Sequence, residues 1–158
     1  MILRTHGPTE TEALGQSIGS ACAGGEIVGL VGELGTGKTC LVRGLAVGLG
    51  VEPADIHSPS FTLINEHQGR LRLFHIDLYR LDTITADELW LRECLFGDGV
   101  AAVEWFDRLA GMRATDHLQI RLKFAAGEAR ELELVATGPR HARLLHVITA
   151  ARGRGSRG

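Results

Sequence analysis

The sequence predicts an α/β domain of three layers with a central mixed sheet. Three observations support this. Short apolar runs typical of buried strands alternate with segments of helical spacing, a strictly alternating hairpin pattern adds antiparallel strands, and no repeat or linker divides the chain. The chain has 158 residues, of which 44% are hydrophobic and 23% charged, as in an ordinary single core. We expect one domain over residues 1–150 and a flexible basic tail over 151–158.

The first fifty residues predict the order helix, strand, loop, helix. Thr9 and Glu12 have the spacing of a capping box, which predicts a helix from an N-cap at Thr9 to about Cys22. The apolar run "EIVGLVG" at 26–32 lies between glycines and is typical of a buried strand. The segment "KTCLVRGLAVGLG" at 38–50 has helical apolar spacing and ends on a glycine.

A hairpin and a second helix follow. Residues 61–66 and 70–77 predict two strands joined at "HQG". Thr85 is predicted to cap a helix over "ADELWLREC". The run "VAAVEW" at 100–105 predicts another buried strand.

The C-terminal part predicts a second hairpin and a last helix. "HLQIRLKF" at 117–124 alternates strictly, "GEAR" is a turn, and "ELELVAT" at 131–137 returns with its own apolar face. A helix over about 140–150 closes the domain. No acid follows Glu133, so the arginines of "RGRGSRG" predict a passive tail, with contact to RNA or a partner as the alternative.

Composition narrows the class of protein. The net charge of -2 argues neither for nucleic acid nor for a membrane surface. Cys22, Cys40 and Cys94 are odd in number and lack CxxC spacing, which favours reduced thiols in a cytoplasm. No apolar run approaches the roughly 20 residues of a membrane span, and the first residues do not resemble a signal peptide.

One motif predicts phosphate binding. Gly32, Gly37, Lys38 and Thr39 match the pattern G-x(4)-G-K-[ST], with a predicted strand before it and a predicted helix after it. Its glycines let successive amides face one anion, Lys38 would reach the β- and γ-phosphates, and Thr39 would bind Mg²⁺. The alternative is an ordinary turn. The motif makes a three-layer P-loop NTPase-like domain the predicted fold.

Two acids could complete a hydrolytic site. Asp77 and Glu104 each end a predicted strand, and the carboxyl ends of strands face the ligand crevice in open α/β sheets. Either could hold Mg²⁺, and Glu104 could instead orient the attacking water. Each could equally be a solvated acid at a strand end.

Other features leave alternatives open. "HSPSFT" at 57–62 offers Ser58, Ser60 and Thr62 either as a γ-phosphate switch or as an inert connection. Trp105 favours a packing role, and no arginine is an obvious finger. Asn65 is the only asparagine and fits no guanine-recognition motif, so ATP is favoured over GTP.

Four stretches together resemble one family. "GELGTGKT", "HSPSFTLINEH", "HIDLYRL" and "VEWFDRL" occur in this order and resemble the TsaE (YjeE) family, bacterial P-loop ATPases needed for threonylcarbamoyladenosine formation in tRNA. The resemblance covers about residues 5–138. The stretches "SPSFTLINE" and "DLYRL" have no general P-loop role, so the set of four is much more specific than the P-loop alone.

The resemblance implies ATP and Mg²⁺ as cofactors and a TsaB–TsaD pair as partner. It implies that contact with tRNA is indirect, through that complex, and it leaves the oligomeric state open. It implies that ATP contacts Thr11, Gly32, Glu33, Leu34, Gly35, Thr36, Gly37, Lys38, Thr39 and Cys40. It implies Thr39, Asp77 and Glu104 as metal ligands, and Lys38, Asp77 and Glu104 as catalytic residues. The segment around Arg130 resembles a C-terminal family segment. Thr36, Cys40 and Phe106–Asp107 depart from the commoner family pattern without touching these roles.

Two other functions are compatible with a P-loop in a chain of this size. One is a small-molecule kinase, although the chain shows no arginine-rich lid. The other is a module that binds ATP to set its conformation without hydrolysing it.

Overall fold

A computed structural model describes residues 1–59, 63–81, 84–85, 88–111 and 115–155. The helices are α1 (Pro8–Ala21), α2 (Lys38–Gly48), α3 (Leu89–Leu95) and α4 (Pro139–Gly155). The strands are β1 (Ile2–Thr5), β2 (Ile27–Val31), β3 (Ile64–His67), β4 (Leu73–Asp77), β5 (Ile84–Thr85), β6 (Val100–Glu104), β7 (Leu109–Ala110), β8 (His117–Phe124) and β9 (Arg130–Thr137).

Seven strands form one mixed sheet in the order β1-β9-β8-β2-β6-β4-β3. The four central strands β8, β2, β6 and β4 are parallel. The hairpin partner β3 is antiparallel to β4, while β9 and β1 are antiparallel at the other edge. The strands β5 and β7 pair separately in parallel. The predicted α/β fold with a central mixed sheet is confirmed.

The sheet has an apolar core on each face. Successive side chains of a strand point to opposite faces, so Val28 and Leu30 of β2 pack with α1, α2 and α4. Ile27 and Val31 pack on the other side with α3 and a short 3-10 helix, Phe106–Arg108. Helices therefore cover both faces, which makes three layers. Among the described residues, no helix combines the length and apolar content that crossing a membrane requires.

Two predicted helix starts were wrong. α1 begins at Pro8 with Gly7 as N-cap, so Thr9 lies inside the helix and caps nothing. Proline at the first helical position has a suitable φ and no amide to satisfy. Glu10, two residues before the predicted Glu12, accepts a hydrogen bond from the His6 amide at 2.8 Å. Thr85 belongs to β5, and α3 begins later, at Leu89.

The ends of the chain also differ from the prediction. β1 was not predicted, because its four residues become a strand only by pairing with β9, far along the chain. α4 continues to Gly155, so residues 151–155 of the predicted tail are helical. Its buried residues are His141, Leu144 and Ile148, and residues 149–154 are exposed.

Glycines allow α1 and α2 to pack at very short distance. Gly15 and Gly19 of α1 face α2, while Gly44 and Gly48 of α2 face α1. A Cβ atom at any of the four would lie closer than 3.0 Å to backbone atoms of the other helix. Backbone cannot move aside as the end of a side chain can, so the spacing of these helices requires glycine.

We predict that Gly44→Ala lowers the free energy of unfolding by about 1–3 kcal/mol, because the added methyl separates the two helices. Helix propensity alone would favour alanine by about 1 kcal/mol, so the sign of the change is diagnostic. Urea denaturation measures it. Gly153→Ala in α4 is the matched control, since a Cβ there meets nothing within 4 Å. A Gly44→Ala protein as stable as the control would contradict close packing.

Candidate functional site

The predicted phosphate loop connects β2 to α2. Gly37 precedes the helix with φ 103°, a left-handed conformation that favours glycine. A Cβ on Gly32 would lie 2.7 Å from the Leu122 carbonyl oxygen, so this position also excludes a side chain. The Thr36 hydroxyl closes the turn by donating to the Glu33 carbonyl at 2.7 Å, while Leu34 at the tip is 62% exposed. The amides of the first turn of α2 lack intrahelical acceptors and lie at this loop.

Lys38 folds back over the loop. Its Nζ donates to the carbonyl oxygens of Gly32 at 2.6 Å and Glu33 at 2.8 Å. It also lies 4.4 Å from the centre of the Trp105 ring. Burial lowers the pKa of Lys38, and the negative charge of Glu104 opposes that effect. The ammonium group is thus held where the motif predicts phosphate.

Glu104 is bonded at both carboxylate oxygens. Thr39 Oγ1 donates to its Oε1 at 2.9 Å, and His75 Nε2 lies 2.5 Å from its Oε2. Glu104 is only 3% exposed at the end of β6. The structure therefore brings together the motif threonine and a predicted strand-end acid, and it adds a histidine that the sequence analysis missed. A His two residues before Asp77 was the available signal, because alternate strand residues share a face.

Asp77 lies beside Glu104, since the two residues are register partners where β4 and β6 end. Its Oδ1 accepts the Tyr79 amide at 3.0 Å. Burial raises the pKa of Asp77 and the charge of Glu104 adds to the rise, while the Tyr79 amide and Lys38 lower it. Glu104 thus contacts the loop threonine, and Asp77 lies beside Glu104 at the end of the neighbouring strand.

Trp105 has an unusual backbone conformation and contacts the loop lysine. Its φ of 60° is the only positive value at a non-glycine among the described residues. That backbone conformation is unusual for a bulky residue, and conformations of this kind cluster at functional sites. The ring lies beside Lys38, 4.7 Å from the Arg108 guanidinium and 5.2 Å from the Tyr79 ring. The packing role favoured from the sequence therefore misses the contact of Trp105 with the loop lysine.

Arg108 links the segments that follow the two acids. Its NH1 donates to the carbonyl oxygens of Leu78 at 3.3 Å and Leu81 at 3.0 Å, and also to that of Tyr79. The guanidinium thereby joins the turn after β4 to the 3-10 helix after β6. Its position depends on contacts between distant segments, which local sequence does not reveal.

A cavity of about 120 Å³ lies on the other side of the loop, between the start of α1 and the turn that precedes β9. Thr11 lines it, but its hydroxyl is bonded to Thr5 Oγ1 at 2.7 Å and to the Gly7 carbonyl at 3.2 Å. The Cys40 thiol donates to the Pro8 carbonyl at 3.2 Å, and burial raises its pKa. Arg130 reaches the loop by donating to the Gly35 carbonyl at 3.4 Å.

The "HSPSFT" segment begins at an anchored residue. The His57 amide donates to His67 Nε2 at 3.1 Å, and Asn65 Nδ2 donates to the His57 carbonyl at 2.9 Å. Of the predicted switch hydroxyls, Ser60 and Thr62 lie outside the described residues. Two residues of β3 therefore hold His57, one through its amide and the other through its carbonyl.

The described residues contain no group of three or more His, Cys, Asp or Glu side chains arranged to hold a metal by themselves. The oxygen atoms of Thr39, Glu104 and Asp77 are ligands of the kind that Mg²⁺ prefers, and Mg²⁺ commonly completes its shell with water and substrate phosphate. The donor set therefore fits a Mg²⁺ ion that arrives with a nucleotide.

Comparisons with known proteins agree with this geometry. The family model described as "Threonylcarbamoyl adenosine biosynthesis protein TsaE" matches residues 5–132. A tRNA threonylcarbamoyladenosine biosynthesis protein TsaE from Bacillus subtilis is 37% identical over 147 residues, 92% of either chain. One from Treponema pallidum is 39% identical over 124 residues, 78% of this chain and 91% of that protein.

A solved structure shares the fold. The crystal structure of Bacillus subtilis YdiB superposes with a TM-score of 0.78 at 32% identity, covering 96% of this chain and 95% of that one. The fold is P-loop NTPase-like, and it implies nucleotide binding. The chain belongs to the TsaE family, whose members take part in the biosynthesis of threonylcarbamoyladenosine in tRNA.

Proposed function

We propose that the chain is a Mg²⁺-dependent ATPase of the cytoplasm that supports threonylcarbamoyladenosine formation together with a TsaB–TsaD pair, and that it meets tRNA through that complex. The contact of 2.9 Å between the Thr39 hydroxyl and the Glu104 carboxylate supports this most directly. It puts the hydroxyl expected on Mg²⁺ against an acid able to hold the same ion or a water molecule.

Binding of the phosphates would use the loop amides and Lys38. The lysine already has its ammonium at the loop, where it donates to two carbonyl oxygens. Exchange of these for phosphate oxygens replaces neutral acceptors with charged ones, which form shorter and stronger hydrogen bonds. The cavity lined by Thr11 and Arg130 offers adjoining space for the rest of the nucleotide.

Hydrolysis would use the two acids. When bound, Mg²⁺ neutralises charge on the phosphate oxygens. Thr39, Glu104 and Asp77 are the residues that would hold it, and Glu104 would also orient the attacking water. Asp77, whose pKa burial raises, would ionise more readily beside a cation.

Completion of the site would require the partner. Arg108 and Arg130 both reach this region, and each donates to backbone carbonyls. Charge that develops on the transferred phosphoryl group is therefore left to Lys38 and the metal. We infer slow turnover by the chain alone and faster turnover in the complex, as when a partner supplies a missing arginine.

Turnover of ATP with and without the TsaB–TsaD pair tests the function. We expect Mg²⁺-dependent release of phosphate that rises at least about tenfold with the pair, a change of about 1.4 kcal/mol in the barrier. Lys38→Ala should abolish it in both cases. Lack of stimulation would contradict the partnership, and a phosphorylated metabolite in place of phosphate would indicate a kinase.

Glu104→Gln should lower turnover by about 10²–10³-fold and change ATP affinity less than about threefold, because the amide keeps the shape but lacks the charge. The measurement is single-turnover hydrolysis beside calorimetric binding. The same variant separates an ATPase from an ATP-gated binding module. If it supports tRNA modification as well as the original chain does, hydrolysis is dispensable.

Asp77→Asn should abolish turnover and yet stabilise the fold at neutral pH. Because burial raises the folded-state pKa of Asp77, the folded protein favours the protonated carboxyl. That stabilising contribution is complete below the unfolded pKa of about 3.9 and is lost as pH rises through the folded pKa. Thermal unfolding at pH 7 and pH 4 should therefore show a gain in Tm for the variant that is larger at pH 7. A variant less stable than the original chain at pH 7 would refute this account.

A further inference from the structure

We propose that His75 is a positioning residue, which holds the Glu104 carboxylate in the orientation that the metal and the attacking water require. This inference rests on the proposed ATPase function. It adds a residue that acts through Glu104 and itself touches neither nucleotide nor metal.

His75 lies two register pairs before the two acids, on the same face of the sheet. His75 and Asp77 are alternate residues of β4 and share a face, and their register partners on β6 are Ala102 and Glu104. The register partner of His75 is thus a residue with a small side chain, and Glu104 is the next residue on the same face of β6. Nε2 and Oε2 then meet at 2.5 Å, with the side chains 3% and 4% exposed.

Glu104 needs such a partner because its carboxylate has little orientation of its own. The last torsion of a glutamate is broad and roughly two-fold, so hydrogen bonds decide how the oxygens point. The Thr39 hydroxyl holds Oε1 at 2.9 Å. If that hydroxyl turns to a metal, His75 is the remaining side-chain donor seen on Glu104 among the described residues, and it still holds Oε2.

A purely structural role explains the contact less well. β4 and β6 are already joined by five register pairs, from Leu73 with Val100 to Asp77 with Glu104. A further side-chain link adds little to that alignment. The chain also offers a comparison, since His141 and Asp116 form a pair of the same chemistry at 2.5 Å. That pair lies beside the Ile27 amide at the start of β2, at the opposite end of the strands from the loop.

The experiment compares His75→Leu with His75→Gln, whose amide can still donate to Glu104. Binding of a non-hydrolysable ATP analogue is measured by calorimetry over a Mg²⁺ series and in EDTA, and turnover is measured beside it. We expect His75→Leu to raise the half-saturating Mg²⁺ concentration and to lower turnover by about 10–100-fold. Affinity in EDTA should change less than about threefold, and His75→Gln should restore most of the loss.

Two controls separate positioning from folding. His141→Leu removes the matched pair and should leave the half-saturating Mg²⁺ concentration unchanged, whatever it does to stability. In a Glu104→Gln background, His75→Leu should have little further effect, since residues that act through one group are not additive. If His75→Leu is insoluble, His75→Asn, whose shorter amide does not reach Glu104, takes its place.

Each outcome decides one question. A normal Mg²⁺ response in His75→Leu, an equal loss with and without Mg²⁺, or an undiminished loss in the Glu104→Gln background would overturn the role of His75. The role of His75 would also be overturned if the affinity of the unsubstituted chain for the nucleotide did not depend on the Mg²⁺ concentration. If the original chain binds the nucleotide with Mg²⁺ but does not hydrolyse ATP, the proposed function fails, and the binding series still tests His75.

Discussion

The parallel pairing of β2, β6 and β4 is the constraint on which the site depends. Leu30 is the register partner of Glu104, and Glu104 is the partner of Asp77, so three strands end side by side. The phosphate loop leaves β2 at this edge, and the next two strands on one side, β6 and β4, each end in an acid. The two acids need no unusual loop to reach each other, because the sheet aligns their backbones. A slip of one residue in either pairing would turn an acid to the opposite face.

A second constraint comes from the packing of α1 against α2 on one face of the sheet. The glycine contact between α1 and α2 fixes how closely the helix of the phosphate loop approaches its neighbour. The start of α1 carries Thr11, whose Cγ2 would lie 3.6 Å from a Cβ on Gly37. The side of the loop that faces the cavity is thus shaped by helix packing, whereas the side that faces the acids is shaped by strand pairing. Two independent parts of the fold meet at one loop.

These constraints explain what could be predicted from the sequence. The nearness of the loop to Asp77 and Glu104 could be predicted because a local motif and two strand ends indicate it directly. The contact of His75 with Glu104, the Arg108 link and the strand β1 were missed because each arises from residues distant in sequence. The residue type of Trp105 predicts packing. Its left-handed backbone and its position beside Lys38 are not apparent from the sequence. The errors at Thr9 and Thr85 came from side chains with suitable cap spacing where backbone geometry decided otherwise.

The site also holds charge under conditions that disfavour it. Burial lowers the pKa of Lys38 and raises that of Asp77, so each group loses part of its preference for the charged form. Their opposite charges compensate in part, and Glu104 is satisfied through hydrogen bonds to Thr39 and His75. A polar cluster of this kind costs stability that the apolar cores on both faces of the sheet must supply. A nucleotide with its metal would bring phosphate oxygens to Lys38 and a cation to the acids. The features that make the free site costly are therefore those that would make binding favourable.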